Sequence, residues 1–243
     1  MFTFQLNFSG DWPMRLSILI YDGLTTLDAV GGYEVLARLP GMEVEFVAAR
    51  RGIVAADTRR LGLAAFRDFS EVTATDILYV PGGPGGFALE KDQPFLDKIR
   101  SLDKSSTWTV GICNGVGLLA AAGLLKGLKA TTNWFYQDRL RAYGAEFVAE
   151  RYHRDGKYVT GAGVSASIDT GLYLASLIAG DQVAKTLQLG IEYYPAPPFP
   201  EKRPQDVAVE IYERVRSFEA GGGKELLRLQ PPFKDMFRLA ETN

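Results

Sequence analysis

The apolar positions of this chain form short runs, separated by longer segments in which apolar residues recur at helical spacing. Runs at residues 15–21, 76–80 and 107–112 are largely β-branched or otherwise apolar, which is typical of strands buried on both faces. A fourth run, 43–49, alternates apolar and polar residues as a half-buried strand does. Because segments of helix length lie between these runs, the pattern predicts βαβ units. We therefore expect an α/β fold with a doubly wound, mostly parallel sheet and helices on both faces.

Local signals predict the remaining elements. The pair Asp155-Gly156, between the two strand-like arms of residues 146–159, is the strongest short hairpin signal in the chain. A hairpin or crossover segment is predicted at 57–65. Helices are predicted at 29–38, at 94–102, at 165–179 with Ser165 as cap, from Asp181 as cap, and from Pro204 to about residue 218.

The stretch from Thr107 to Leu125 organises the rest of the chain. Its first half reads as a buried strand, and its second half is rich in Ala and Leu, which favour helix. Between them lies Cys113, the one cysteine of the chain, flanked by Gly111 and Gly115. Small flanking residues predict a sharp strand-to-helix turn, a nucleophile elbow, whose helix N–H groups favour the thiolate. The alternative is a buried structural cysteine.

Composition narrows the class of protein. The 243 residues are 47% hydrophobic and 23% charged, and the formal net charge is −2, so neither a nucleic acid nor a membrane is an expected partner. One cysteine excludes an intrachain disulfide, and one histidine, His153, puts a His/Cys zinc site out of reach. His153 lies among charged residues and is expected to be a solvated strand residue. Without a basic leader or a long apolar run, a cytoplasmic location is the expectation.

The predicted domain boundaries follow the same signals. Residues 1–14 form an N-terminal extension, 15–220 one α/β domain, and 221–243 a polar tail that begins with three consecutive glycines.

Ligands of a doubly wound sheet bind outside the carboxyl ends of its strands, and three segments fall there: residues 22–28, residues 81–86 and the elbow. Asp28 closes the first segment. It could cap the helix predicted from Ala29, or it could share a proton with a thiol and deliver it to substrate. The Gly-rich second segment lacks the pattern of a phosphate-binding loop, but its backbone N–H groups could face a developing anion.

At this point the motifs resemble a known family. Those at residues 22–36, 80–86, 111–117 and 161–169 are similar to the ThiJ/PfpI superfamily, which has a class I glutamine amidotransferase-like fold, a flavodoxin-like sandwich. Within it, the chain is most similar to the isonitrile hydratases, and residues 188–199 are typical of that branch. The resemblance covers roughly residues 15–199.

The resemblance implies hydration of an organic isonitrile to an N-substituted formamide. It implies Cys113 as nucleophile, Asp28 as general acid/base, backbone amides at Gly83 and Cys113 near the reacting centre, and a homodimer. The reaction needs no metal and no organic cofactor. Two departures bear on the substrate: Asn114 stands where the branch commonly has Thr, and Asn133 where relatives often have His. Both are expected to line or border the pocket.

Two other classes of function stay open at this stage. An activated cysteine oxidises readily, so a redox-responsive, stress-related or ligand-sensing protein is an alternative. About forty residues follow Phe199, too few for the usual paired-helix DNA reader. Glyoxalase-type chemistry is the enzyme alternative, disfavoured because no histidine is a credible partner for Cys113.

Overall fold

The chain folds around one central sheet flanked by helices. The computed structural model describes residues 13–199 and 203–220. The strands, in chain order, are β1 (Met14–Leu19), β2 (Met42–Ala48), β3 (Gly52–Ala55), β4 (Gly62–Ala65), β5 (Arg67–Asp68), β6 (Ile77–Val80), β7 (Trp108–Ile112), β8 (Lys129–Ala130), β9 (Glu146–Phe147), β10 (Tyr152–Asp155) and β11 (Tyr158–Gly161). Seven of them form the main sheet in the order β10-β11-β7-β6-β1-β2-β5.

The helices connect and cover these strands. The α-helices are α1 (Thr26–Leu36), α2 (Gly86–Leu89), α3 (Gln93–Ser105), α4 (Gly115–Ala121), α5 (Gln137–Ala142), α6 (Ala166–Ala179), α7 (Asp181–Gly190) and α8 (Val209–Ala220). Single 3₁₀ turns lie at Trp134–Tyr136 and Pro204–Asp206. Helix α1 packs against α6, and α3 against α4. Among the residues described, no helix is both long enough and apolar enough to cross a membrane.

The sheet has the predicted topology. Neighbouring strands of the main sheet are parallel except for β10 and β11, the antiparallel hairpin predicted around Asp155-Gly156. The central strands are buried on both faces, as their apolar runs indicated: Leu16, Ile18 and Leu78 have no exposed surface. The mostly parallel, flavodoxin-like α/β sandwich is therefore confirmed. The 57–65 segment ends in β4, which pairs antiparallel with β3 in a small separate ribbon.

One of the two predicted helix caps is in place and the other is wrong. Ser165 takes the N-cap position of α6, as predicted, but its side chain makes no cap hydrogen bond, and its Oγ accepts one from Arg151 Nη2 at 3.0 Å. Asp181 is the first residue of α7 rather than its cap, a position that Gly180 takes with a φ of +83°.

The predicted C-terminal helix is divided. Pro204 begins a single 3₁₀ turn, and the longer helix α8 starts only at Val209. At the other end, β1 begins at Met14, which the sequence prediction assigned to the extension. Residues 1–12 of that extension and the 221–243 tail lie outside the described residues.

Candidate active site

Three loops meet at one edge of the sheet because β7, β6 and β1 are adjacent and parallel. The loop after β1 leads to Asp28, the loop after β6 carries Gly82 and Gly83, and Cys113 follows β7 directly. The carboxyl ends of these strands were predicted to form the site, and the structure brings all three segments together.

Cys113 lies at a strained turn between β7 and α4. Its φ is +56°, a left-handed conformation that is uncommon for a residue with a side chain. Gly115 makes the turn possible, because a Cβ there would lie 2.2 Å from the Val80 carbonyl oxygen. The Cys113 carbonyl oxygen accepts a hydrogen bond from Thr132 Oγ1 at 2.6 Å. The thiol is nearly buried, with 5% of the residue exposed, but a cysteine used merely for packing would not require this backbone strain.

Asp28 does not cap its helix. Helix α1 begins at Thr26, so Asp28 lies inside the first turn, and its Oδ2 accepts a hydrogen bond from Gly82 N at 3.0 Å across the site. Tyr79 Oη donates to the Asp28 carbonyl oxygen at 2.7 Å and fixes the backbone. The capping alternative considered for this residue is therefore wrong.

Burial favours the protonated form of the Asp28 carboxyl group. It has no exposed surface, and its Oδ1 finds no backbone or side-chain donor of its own among the described residues. Burial raises the pKa of Asp28 from 3.8 to about 7, although hydrogen bonds from Gly82 and with the Cys113 side chain lower it in part. The Asp28 and Cys113 side chains therefore interact directly.

Asn114 and Gly83 are bound to each other. The Gly83 N–H donates to Asn114 Oδ1 at 2.5 Å, and Asn114 Nδ2 donates to the Gly83 carbonyl oxygen at 2.8 Å. The Cys113 N–H is also used, in a hydrogen bond to the Gly161 carbonyl oxygen at 3.0 Å. The Gly83 and Cys113 amides, which were expected near the reacting centre, each already have an acceptor. Substrate binding by Gly83 and Asn114 stays a prediction.

Asn133, which was expected to line or border the pocket, lies beside the thiol. It follows β8, and its Nδ2 lies 3.7 Å from Cys113 Sγ, within hydrogen-bonding distance of sulfur. The sequence signal for this residue was the family resemblance, because Asn133 stands where relatives often have His.

A cavity of about 940 Å³ opens beside this centre. Leu27, the neighbour of Asp28, and Asn133, the neighbour of the sulfur, both line it. Much of the remaining wall is apolar, and part of it comes from the segment that contains Val209 and Tyr212. The Tyr212 ring packs against that of Trp134 with centroids 5.0 Å apart. The cavity is large enough to hold an organic ligand beside Leu27 and Asn133.

His153 is not among the residues that contact Cys113 or Asp28 in the described part of the chain. It lies on β10, and its Nδ1 is 2.7 Å from Glu150 Oε2. Within the described ranges, no three side chains of His, Cys, Asp or Glu are arranged to hold a metal ion.

Comparisons with known proteins agree with this fold. The profile of the DJ-1/PfpI family matches residues 14–177. An isonitrile hydratase from Pseudomonas putida is 37% identical over 203 residues, which is 84% of this chain and 89% of that protein. A deglycase from Thermococcus kodakarensis is 26% identical over 151 residues, 60% of this chain and 89% of the deglycase. The crystal structure of a ThiJ/PfpI family protein from Pseudomonas syringae superposes with a TM-score of 0.84 at 29% identity, over 90% of this chain and 91% of that one.

The class of protein is an α/β sandwich that carries a cysteine on a strained strand-to-helix turn, at the carboxyl edge of its sheet. The chain belongs to the DJ-1/PfpI family.

Proposed function

We propose that this protein hydrates an organic isonitrile, R–N≡C, to the N-substituted formamide, with Cys113 as nucleophile and Asp28 as general acid/base. The observation that carries the proposal is the direct pairing of a thiol on a strained turn with a buried carboxyl group whose pKa is about 7. The likeness to the isonitrile hydratase from Pseudomonas putida supports the choice of substrate class.

The first half of the reaction forms a covalent intermediate. The Cys113 sulfur attacks the terminal carbon of the isonitrile, and Asp28 delivers the proton of the pair to the same carbon. The product is a thioimidate, R–N=CH–S–Cys113, beside an ionised Asp28. A carboxyl group with a pKa near neutrality can both give and take back this proton.

The second half consumes water. Asp28 takes a proton from the water as its oxygen adds to the thioimidate carbon, and it passes that proton to the nitrogen. The C–S bond then breaks, the hydroxyl proton returns to Asp28, and the formamide R–NH–CHO leaves. Cys113 and Asp28 are back in their starting states, so atoms and protons balance without a metal or an organic cofactor.

The substituent R lies in the cavity beside Leu27 and Asn133 in this proposal. Its apolar walls suit a hydrocarbon or aromatic substituent, whereas the reacting carbon must reach the Cys113 thiol, which Asn133 contacts. The homodimer and the cytoplasmic location that the family resemblance and the sequence imply stay predictions.

The test is incubation with cyclohexyl isonitrile in isotopically labelled water. The proposal predicts cyclohexyl formamide that carries one labelled oxygen, formed by the wild type and not by Cys113→Ala. Absence of formamide from the folded wild type, or equal formation by the Cys113→Ala variant, would contradict it.

A further inference from the structure

Besides Asp28, the side chain of Asn133 contacts the sulfur of Cys113. The Asn133 side-chain nitrogen Nδ2 lies 3.7 Å from Sγ. Asn133 also lines the cavity, so it adjoins both the thiol and the space in which a substituent would lie. A primary amide carries donors on its nitrogen and has no ionisation in the range of pH at which proteins are folded.

The direction of the Asn133 amide is fixed by a second hydrogen bond. Its Oδ1 accepts from Phe135 N at 3.1 Å and caps the 3₁₀ turn Trp134–Tyr136. Of the two ends of the Asn133 side-chain amide, only the oxygen can accept the Phe135 N–H. Exchanging the oxygen and the nitrogen would therefore lose the cap. The nitrogen must therefore face Cys113, with its N–H directed at the sulfur.

Close packing holds the side chain in this place. A Cβ at Gly163 would lie 3.0 Å from Asn133 Nδ2 and 3.2 Å from its Cβ. The loop between β11 and α6 thus needs a glycine there to leave room for Asn133. The preceding residue, Thr132, is anchored by its own hydrogen bond to the Cys113 carbonyl oxygen.

We propose that Asn133 is a further catalytic residue, whose amide N–H donates to the Cys113 sulfur and stabilises the thiolate. A hydrogen bond to a charged form favours that form, and charge-assisted hydrogen bonds are the stronger ones. The donor stays a donor at every pH, unlike a histidine in the same place. This inference rests on the proposed function in taking Cys113 as the nucleophile.

The other groups around the thiol act in different ways. Asp28 from α1 shares a hydrogen bond with Cys113. Tyr21 follows β1, and its pKa is raised first by burial and then by the charges of Asp28 and Cys113. Tyr136 and Glu90 also contribute to the raised pKa of Tyr21. Tyr21 Oη donates to the Pro81 carbonyl oxygen at 2.9 Å. Each of these groups can ionise, whereas Asn133 cannot.

The experiment is the pH profile of Cys113 alkylation by iodoacetamide, without any isonitrile. Cys113 is the one cysteine of the chain, so alkylation of the folded protein reports this thiol alone. Asn133→Ser keeps a cap for Phe135 but is too short to reach the sulfur, and its midpoint should move up by about one pH unit. Asn133→Asp keeps the cap and adds a like charge, and its midpoint should move up by about two pH units.

Asn133→His supplies a donor that titrates, so its profile should gain a second inflection near pH ~6.5. The matched control is Asp92→Ser. It alters another cap, which accepts from Phe95 N at 3.0 Å at the start of α3, and should leave the midpoint unchanged.

A midpoint that stays at the wild-type value in both Asn133→Ser and Asn133→Asp overturns the inference. If Asn133→Asp does not fold, the Ser variant decides. Alkylation and isonitrile hydration are separate readouts: shifted midpoints in a protein that makes no formamide support the role of Asn133 and count against the proposed function alone.

Discussion

Asn114 and Gly83 join two of the three loops of the site through a reciprocal pair of hydrogen bonds, at 2.5 Å and 2.8 Å. Both residues are buried, so neither bond can be replaced by water without a rearrangement. The pair holds the Gly-rich loop after β6 against the elbow after β7. Asn114 thus has a structural task that its place next to the cysteine in the sequence did not reveal.

We therefore predict that Asn114→Ala lowers the free energy of unfolding by roughly 1–3 kcal/mol, the cost of leaving buried polar groups without partners. The measurement is denaturant unfolding followed by circular dichroism. Ser70→Ala, which removes an exposed hydrogen bond to Asp68, is the control and should change stability little. Equal stability of Asn114→Ala and the wild type would mean that the pair is dispensable.

The strained turn at Cys113 makes a second prediction. Since its φ is +56°, Cys113→Gly should be more stable than Cys113→Ala by about 1 kcal/mol, although both lose the sulfur. At Ala120, inside α4, a change to Gly should instead lower stability by about 1 kcal/mol. Thermal unfolding of the three variants gives the comparison. If Cys113→Gly is no more stable than Cys113→Ala, the turn is not strained.

Asp28→Asn tests the acid/base role. Asn keeps an oxygen for the Gly82 N–H but has no proton to exchange at neutral pH, so the variant should fold and lose about two to four orders of magnitude in kcat. Asp76→Asn is the matched control. Its carboxylate also accepts a backbone N–H, from Arg15 at 2.7 Å, at the start of β6 and away from the elbow, and its rate should stay near that of the wild type. A normal rate in Asp28→Asn would assign the proton transfer to water or another group.

The same substitution should change how stability depends on pH. The folded-state pKa of Asp28, about 7, is above the unfolded value of 3.8, so folding favours the protonated carboxyl. The stabilising contribution of the protonated Asp28 is complete below about pH 4 and is lost as the pH rises through about 7. The loss amounts to about 1.4 kcal/mol for each pH unit between the unfolded and folded pKa values. The wild type should therefore lose stability relative to Asp28→Asn between pH 4 and pH 8. A difference that stays flat, or that grows in favour of the wild type, would show that Asp28 is ionised in the fold.

The order of the main parallel strands was readable from the sequence because strands buried on both faces need continuous apolar runs, whereas the short elements β5, β8, α2 and α5 were not predicted. That order also put Asp28, the Gly-rich loop and Cys113 at one edge of the sheet, because the carboxyl ends of adjacent parallel strands coincide. Two details were not readable. The contact of Asn133 with the sulfur depends on how a segment after β8 folds back over the elbow, and the pairing of Asn114 with Gly83 is a tertiary contact between loops.

The cavity gives a prediction about substrate size. Ala149 is exposed on its wall, so Ala149→Trp can narrow the cavity without disturbing the core. We expect KM for cyclohexyl isonitrile to rise roughly tenfold or more, whereas KM for methyl isonitrile changes little, because a small substituent does not need the space. Ala142→Trp, on an exposed face of α5 outside the cavity lining, is the control. If Ala149→Trp affects both substrates alike, the substituent does not lie in this cavity.

The covalent role of Cys113 is the centre of the account, and intact-protein mass spectrometry of acid-quenched reactions tests it most directly. With cyclohexyl isonitrile, the wild type should gain the mass of one isonitrile, on the peptide that contains Cys113, and this adduct should form and decay at rates compatible with turnover. It should be absent from Cys113→Ala. Steady formation of formamide with no adduct at any quench time, undiminished in Cys113→Ala, would contradict the account.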